Sequence, residues 1–332
     1  MTERLTIVVP VFNERAVLPA FHERLGRVLA EAEVDAEILY IDDGSTDGSG
    51  AWLELEAVTT DQVSILSLSR NFGKEVAMTA GLDHADADAV VIIDADLQDP
   101  PELIPDLVAR WREGFDVVYA RRDERQGETW LKRTSASIFY RVMDRLSEVP
   151  IPRDTGDFRL LSRRAVDELR RLREQHRYMK GLYAWIGLPQ TSVTYTRAPR
   201  ADGRSKLGYG RLFDLAMEGI TSFSAAPLRL ATWLGLGTSF AAFAYGLYFF
   251  VRTLILGNPV PGYPSLIVII LFLGGVQLVC LGIIGEYLAR TYNESKQRPL
   301  YVIDKYRPWQ MNSDSNSAAS DSERSPTTGA ND

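Results

Sequence analysis

The sequence predicts an α/β protein with a mostly parallel sheet, followed by an amphipathic interfacial helix and a two-helix transmembrane hairpin. Two observations support this. Over residues 5–120, short apolar runs alternate with segments of helical periodicity, a pattern typical of parallel strands joined by crossover helices. Near the C-terminus, two long apolar stretches flank a turn rich in glycine and proline. The 332 residues are enough for one large domain and this membrane segment.

The elements of the first part follow one another regularly. The predicted strands are Leu5–Val11, Glu37–Ile41, Val63–Leu68, Ala89–Ile93 and Asp116–Tyr119, and the predicted helices are Glu14–Ala32, Asp47–Ala57, Gly73–His84 and Pro101–Glu113. Residues 121–206 are less regular and richer in arginine, with one helix predicted at Arg163–His176 and capped by Ser162. A short strand is predicted at Leu300–Ile303, and the polar composition from Trp309 onward is typical of disorder.

Two stretches are long enough to cross a bilayer. Leu230–Val251 has 22 residues without a charge, about 33 Å as a helix at about 1.5 Å per residue. Ser265–Gly285 is almost wholly apolar, with Ser265 and Gln277 as its clearly polar residues. Two buried helices of a soluble domain are the alternative. The uninterrupted lack of charge from Thr253 to Gly285 favours the membrane hairpin instead.

The flanking charges predict the orientation of this hairpin. Basic residues precede and follow it, whereas the connecting turn offers Arg252. The positive-inside rule then places both termini and the domain before the hairpin in the cytoplasm. The apolar start of the chain is too short for a signal peptide, which agrees with a cytoplasmic first domain. The expected divisions are 1–206 (α/β domain), 207–227 (interfacial), 228–290 (hairpin, with helices near 230–252 and 264–286), 291–308 (cytoplasmic) and 309–332 (disordered).

Two carboxylates come directly after the most apolar predicted strand. Asp94 and Asp96 follow Ala89–Ile93, and Pro100 and Pro101 stop the strand from continuing. The carboxyl ends of strands in an open α/β sheet are where ligands bind. With Gln98, these side chains supply the oxygen ligands that Mg²⁺ or Mn²⁺ prefers beside a diphosphate. The simpler alternative to a cation site is that these acidic residues cap the next helix.

Polar segments follow the first two predicted strands at the same edge. Residues 9–14 and 41–49 carry them; Gly44 allows close approach of a ligand, and Asp42 or Asp43 can accept hydrogen bonds from a base or ribose. An ordinary turn with a helix cap is an equally good explanation of the second segment alone. Dinucleotide-binding and P-loop signatures are absent from the sequence. The net charge of −7 argues against a nucleic-acid binder.

Taken in order, these motifs resemble those of family 2 glycosyltransferases with the GT-A fold. The matching segments are Val9–Glu14, Asp42–Asp47, Arg70–Lys74 and Asp94–Gln98. The chain is most similar to the polyprenyl-phosphate branch, which includes bactoprenol glucosyltransferases and dolichyl-phosphate mannose synthases. The segments that carry this likeness are Thr155–Leu160, Gly203–Lys206, Gly219–Phe223 and Gly285–Leu288.

The resemblance implies a set of site residues. Pro10, Asn13, Glu14 and Asp42 would line the nucleoside pocket, and Asp94, Asp96 and Gln98 would hold the divalent ion. Asp157 would stand near the reacting centre, with Asp96 and Arg122 as further catalytic residues. The expected nucleotide-sugar site also includes Val11, Asp43, Gly44, Ser45, Lys74, Asp94 and Arg121. Residue 99, an aspartate, departs mildly from the family preference; it could strengthen the metal site or cap the next helix.

The expected acceptor is a lipid phosphate, which needs cations close to the membrane surface. Arg204, Ser205 and Lys206 precede the amphipathic segment and are well placed, with Arg133 and Arg159 as helpers. Anchoring to anionic lipids is the alternative role. A phosphate monoester is largely a dianion at neutral pH, since its second pKa is about 6. We therefore expect Asp157 to orient groups around the acceptor rather than to act as an obligate base.

The function expected from the sequence is inverting transfer of one sugar to polyprenyl (undecaprenyl) phosphate, for modification of a cell-envelope glycan. UDP-glucose is the preferred donor, with GDP-mannose or a modified UDP-sugar as alternatives. A processive polysaccharide synthase and a non-catalytic membrane scaffold are the other candidates; the first lacks its Gln-x-x-Arg-Trp motif here. A homo-oligomer is possible through Gly274, Gly275 and Gln277.

Overall fold

The fold is taken from a computed structural model that describes residues 3–32, 35–60, 62–122, 155–195, 226–256 and 262–309. The chain divides into two compact units. The first comprises Met1–Ala109, Phe158–Val166 and Tyr301–Asp332, and the second comprises Arg110–Asp157 and Asp167–Leu300.

The first unit is a mixed sheet with helices between its strands. Its elements are β1 (Arg4–Val11), α1 (Leu18–Glu31), β2 (Asp35–Asp42), α2 (Ser49–Thr59), β3 (Val63–Leu68), α3 (Lys74–His84), β4 (Ala89–Ile92), a 3₁₀ turn (Pro101–Leu103), α4 (Ile104–Arg112), β6 (Thr155–Ser162) and β8 (Ile303–Arg307). The neighbours run β6-β4-β1-β2-β3-β8. The four central strands are parallel, while β6 and β8 run antiparallel to β4 and β3.

The apolar runs of the sequence form the core of this sheet. Residues 5–9 of β1, apart from Thr6, and all of β4 are buried hydrophobic positions, as expected for strands covered on both faces. Helix α3 lies close against β1, because a Cβ at Gly81 would collide with the side chain of Val8. The first residue of α3 is Lys74.

The predicted strands and helices of residues 5–120 are confirmed, with shifts of at most four residues at their ends. Ser162 does cap the next helix, since its Oγ accepts a hydrogen bond from the amide of Ala165 at 3.1 Å. Two predictions were wrong in extent. The helix predicted at 163–176 ends at Arg171, and the strand predicted at 300–303 lies at Ile303–Arg307. Strand β6 was not predicted.

The second unit contains the remaining elements, which are β5 (Val117–Arg122), α5 (Arg163–Arg171, shared with the first unit), α6 (Met179–Trp185), β7 (Gln190–Tyr195), α7 (Ala226–Leu256) and α8 (Tyr263–Ser295). Strands β5 and β7 are parallel. The boundary predicted after residue 206 and most of the interfacial segment 207–227 lie outside the described residues, so the predicted divisions stay predictions.

Helices α7 and α8 are long, apolar and uncovered. Leu228–Ile255 and Ser265–Ser295 have mean hydropathies of 1.5 and 2.8, and neither is buried within the protein. They pack against each other, with the Cys280 thiol 3.6 Å from the carbonyl oxygen of Ala231. A core helix of a soluble domain would be covered by protein, so these two helices have the length and composition of a membrane hairpin.

The C-terminal end of α8 contacts the loop between α5 and α6. The Gln175 amide donates to Glu294 Oε1 at 2.7 Å, and its side-chain nitrogen donates to the carbonyl of Arg298 at 2.6 Å. Burial raises the pKa of the nearby Glu174 carboxyl, with Arg177 opposing this and Glu294 adding to it. These contacts give the polar end of α8 a fixed attachment within its own unit.

Candidate functional site

A cleft of about 290 Å³ opens in the first unit, where β1, β2 and β4 end. Its lining residues are Pro10, Val11, Phe12, Glu14, Asp43, Asn71, Lys74, Ala77, Asp94, Ala95 and Asp96. The lining therefore combines a small apolar floor with several carboxylates and one lysine, all at the carboxyl edge of parallel strands. Such edges are ligand sites in open α/β sheets.

The loops after β1 and β2 are held together by hydrogen bonds. The Asn13 amide donates to Ser45 Oγ at 3.0 Å, and Asn13 Oδ1 accepts from the amide of Thr46 at 2.8 Å. Asn13 has a φ of 57°, a left-handed conformation that asparagine tolerates better than most residues. The Glu14 amide donates to Ser49 Oγ at 3.0 Å. This network fixes the wall of the cleft formed by the first two motifs.

Asp43 attaches a third loop to this wall. Its two carboxylate oxygens accept hydrogen bonds from the amides of Phe72 and Gly73, at 2.7 and 2.9 Å. Burial raises the pKa of Asp43, while these two amides lower it in part. Gly44, with φ of +70°, lies directly beneath the backbone of Arg70 and Asn71. Both carboxylate oxygens of Asp43 therefore accept hydrogen bonds from the 70–73 loop, and Asp43 also lines the cleft.

Asp42 is also engaged locally. Its Oδ1 accepts from the amide of Ser45 at 3.0 Å, and its Oδ2 would lie 2.6 Å from a Cβ at Gly50. Asp42 does not line the cleft, although it is adjacent to Asp43, which does. Gly44 and Ser45 likewise act here through backbone packing and loop hydrogen bonds. Their expected contacts with a nucleotide stay predictions.

The acidic rim consists of Asp94, Asp96 and Gln98. Both carboxylate oxygens of Asp94 lie 2.7 Å from Lys74 Nζ. Asp96 Oδ1 accepts from the amide of Gln98 at 3.0 Å, in a turn where Leu97 has a φ of 60°. Such backbone strain costs of order 1–3 kcal/mol and is common at ligand sites. Asp99 is almost fully buried and is not part of the cleft lining.

The chemistry of this rim fits a divalent cation. Gln98 Oε1 is buried without a hydrogen-bond partner among the described residues, but Gln98 is not one of the residues that line the cleft. In the part of the chain that the structure describes there is no cluster of three or more His, Cys, Asp or Glu side chains suited to a metal. Two carboxylates and one amide would therefore need further ligands from a diphosphate or water, as Mg²⁺ sites commonly do.

The other predicted residues are distributed as follows. Arg159 is buried in β6, where it pairs with Ile92 of β4. Asp157 is half-buried in the same strand, two residues earlier. Arg121 is exposed at the end of β5, which also contains Arg122. Arg133, Arg204, Ser205 and Lys206 lie outside the described residues.

Four residues of the cleft lining had no role assigned from the sequence, namely Phe12, Asn71, Ala77 and Ala95. Phe12, 45% exposed, and Asn71 both line the cleft and both stand within the motifs quoted above. Their position in those motifs was the available signal. The pairing of Lys74 with Asp94 was not predicted either, because it joins the start of α3 to the end of β4, twenty residues further on.

Comparison with known proteins identifies the family of the chain and supports the hairpin. The family model described as glycosyl transferase family 2 matches residues 6–170, and the model described as the GtrB C-terminal hairpin matches residues 226–291. An uncharacterised glycosyltransferase of Synechocystis, sll0501, is 50% identical over 303 residues, which is 91% of this chain and 95% of that protein.

Other relatives cover the chain equally well. A bactoprenol glucosyl transferase of Shigella phage SfV is 46% identical over 90% of this chain and 98% of its own length. The uncharacterised glycosyltransferase YkcC of Bacillus subtilis is 43% identical over 90% and 93%. Among solved structures, glucosyl-3-phosphoglycerate synthase of Mycobacterium tuberculosis covers 66% of this chain and 78% of that chain, with 21% identity and a TM-score of 0.45, too low to inform the site. From its full-length relatives and its two family matches, the chain belongs to glycosyl transferase family 2 and has a GT-A-like domain with a C-terminal apolar hairpin.

Proposed function

We propose that this protein transfers one glucose from UDP-glucose to polyprenyl phosphate at a membrane surface. The observation that carries the proposal is the acidic, lysine-bearing cleft at the edge of a GT-A-like sheet, in a chain that also has a two-helix hairpin. Relatives named bactoprenol glucosyl transferase, which match almost their whole length, support the choice of sugar and acceptor. In the reaction, the bond from glucose C1 to the diphosphate breaks, and a bond from C1 to an oxygen of the lipid phosphate forms on the opposite face.

The donor end of the cleft must hold a diphosphate and stabilise its departure. Asp94, Asp96 and Gln98 would hold Mg²⁺ or Mn²⁺, which when bound would offset the negative charge that develops on UDP. Lys74 supplies a further cation within the cleft, since its ammonium group is part of the lining. Arg121 and Arg122 are proposed to add positive charge at the leaving group.

The acceptor end requires little proton chemistry. A phosphate monoester is largely ionised at neutral pH, so it is already a nucleophile. We assign Asp157 an orienting role toward the acceptor, and Arg133, Arg159, Arg204, Ser205 and Lys206 contacts with its phosphate. Replacing Asp157 by asparagine should then lower kcat at every pH. Recovery of the rate at high pH, with loss of the acidic limb alone, would instead identify a general base.

The proposed location is the cytoplasmic membrane, with two crossings and both termini in the cytoplasm. The segment after α8 returns to the first unit, because β8 pairs with β3 and the Trp309 amide donates to Ser64 Oγ at 2.6 Å. Strand β3, which precedes the hairpin, and strand β8, which follows it, therefore lie in the same sheet. This supports an even number of crossings.

The test is to incubate membranes containing the protein with labelled UDP-glucose, Mg²⁺ and undecaprenyl phosphate, and to analyse lipid products by mass. One hexose on the lipid phosphate is the expected product. A long polymer would identify a processive synthase, and nucleotide binding without product would identify a scaffold. Offering GDP-mannose and modified UDP-sugars in parallel tests the donor. A different single sugar on the lipid would replace glucose in the proposal.

A further inference from the structure

Lys74 holds the carboxylate that the cation is expected to use. Its Nζ is 2.7 Å from each oxygen of Asp94, and both side chains line the cleft. A divalent ion bound to Asp94 would meet this ammonium charge directly, and like charges at that distance disfavour each other. The ion and the lysine therefore compete for one carboxylate.

Lys74 also has room to change partners. It is the first residue of α3, and Asp43 anchors the loop just before it through the amides of Phe72 and Gly73. The backbone is thus fixed, while the side chain is 42% exposed on a flexible four-carbon stem. A diphosphate entering the cleft would bring a second group of negative oxygens within its reach.

The hydrogen bond that Asp96 accepts does not need to change. Asp96 Oδ1 accepts its hydrogen bond from the backbone amide of Gln98, a contact that a metal-bound carboxylate can keep. Gln98 Oε1 is buried and lacks a hydrogen-bond partner among the described residues. Within the rim, Asp94 is thus the position where an existing charge pair must open before the ion binds.

We propose that Lys74 is a positioning residue that passes from Asp94 to the donor diphosphate, so that the divalent ion and the nucleotide sugar enter the cleft together. This rests on the proposed function. Because coupling between two ligands is reciprocal, the nucleotide should raise the affinity for the ion, and the ion should raise the affinity for the nucleotide, by the same factor.

The test is a titration of the detergent-purified full-length protein with Mn²⁺, in which free Mn²⁺ is measured by electron paramagnetic resonance, without and with saturating UDP. Lys74→Met should bind Mn²⁺ about 2–5-fold more tightly than wild type without UDP, because an exposed ion pair of modest strength no longer competes. With UDP the order should reverse, since the lysine no longer holds the diphosphate. Lys74→Arg keeps a cation at this position, so UDP should raise its Mn²⁺ affinity as it does for wild type.

The control is Lys305→Met, which removes a lysine that pairs with Glu54 at 2.7 Å, away from the cleft lining. It should leave both Mn²⁺ affinities at their wild-type values. If Lys74→Met changes the Mn²⁺ affinity by the same factor and in the same direction with and without UDP, the lysine has only a uniform charge effect and the proposed transfer is disproved. An unchanged Mn²⁺ affinity under both conditions would disprove the transfer as well. If wild type binds no UDP in the presence of Mn²⁺, the proposed function fails as well.

Discussion

Replacing Gly44 by alanine tests the close packing that builds the cleft wall. The new Cβ would lie 2.6 Å from the carbonyl carbon of Arg70 and 2.7 Å from the amide nitrogen of Asn71. Both are backbone atoms, so no side-chain rotation can relieve the overlap. Gly44 also has φ of +70°, which costs an alanine about 1–2 kcal/mol. Overpacking adds about 1–3 kcal/mol, so the expected loss of unfolding free energy is about 2–5 kcal/mol.

Gly48 provides a matched control. Its φ is +90°, but no described atom lies within 4 Å of its added Cβ. Gly48→Ala should therefore cost only the conformational part, about 1–2 kcal/mol. The difference between the two variants isolates the contact with the 70–73 loop.

The assay is thermal unfolding of both variants in detergent, followed by tryptophan fluorescence. A domain of this size loses about 2–4 °C of Tm per kcal/mol, so Gly44→Ala should unfold at least about 2 °C below Gly48→Ala. It should also raise the KM for the donor more than Gly48→Ala does. Equal shifts in Tm and KM for the two variants would refute the close contact between these loops.

Three further changes test neighbouring features. Asp43→Asn keeps an acceptor for one of the two amides of the 70–73 loop and leaves the other unpaired, so it should cost about 1–3 kcal/mol in a urea titration; no loss would show that the loop does not depend on this carboxylate. Tyr301→Phe removes the 2.9 Å hydrogen bond to Asp83 and should speed hydrogen exchange in β8, with unchanged exchange counting against that attachment. Burial lowers the pKa of His22 below 6.5, so the unfolded state binds more protons and the free energy of unfolding should fall as the pH drops through 6.5. His22→Phe should reduce this dependence of the unfolding free energy on pH. An equal dependence in both proteins would exclude His22 as its source.

The parts of the fold that depend on local sequence were predictable. The run Ala89–Ile92 is apolar and ends at Asp94 and Asp96, so both the strand and the position of the carboxylates follow from neighbouring residues. The same holds for α7 and α8, because the long uncharged stretch within each helix can be recognised without knowing its partners. The choice of Asp94, Asp96 and Gln98 as cation ligands stays a prediction.

Features set by distant residues were not predictable. The helical pattern from Arg163 continues to His176, yet the helix ends at Arg171, and the amide of Gln175 donates to Glu294, 119 positions away. Strand β8 was placed too early because three of the five residues of Ile303–Arg307 are charged and all five are exposed, as in many edge strands. Its pairing with β3 joins two segments that lie far apart in the sequence, so neighbouring residues do not indicate it.

The most direct test of the whole account is turnover of the double variant Asp94→Asn, Asp96→Asn. Purified in detergent and given UDP-glucose, Mg²⁺ and undecaprenyl phosphate, it should form lipid-linked hexose at least about a hundredfold more slowly than wild type, because losing one electrostatic stabiliser of a developing charge typically costs about 10²–10³ in rate. Its thermal unfolding should show that the fold is retained. Full turnover by this variant would contradict the proposal that the acidic rim holds the sugar donor.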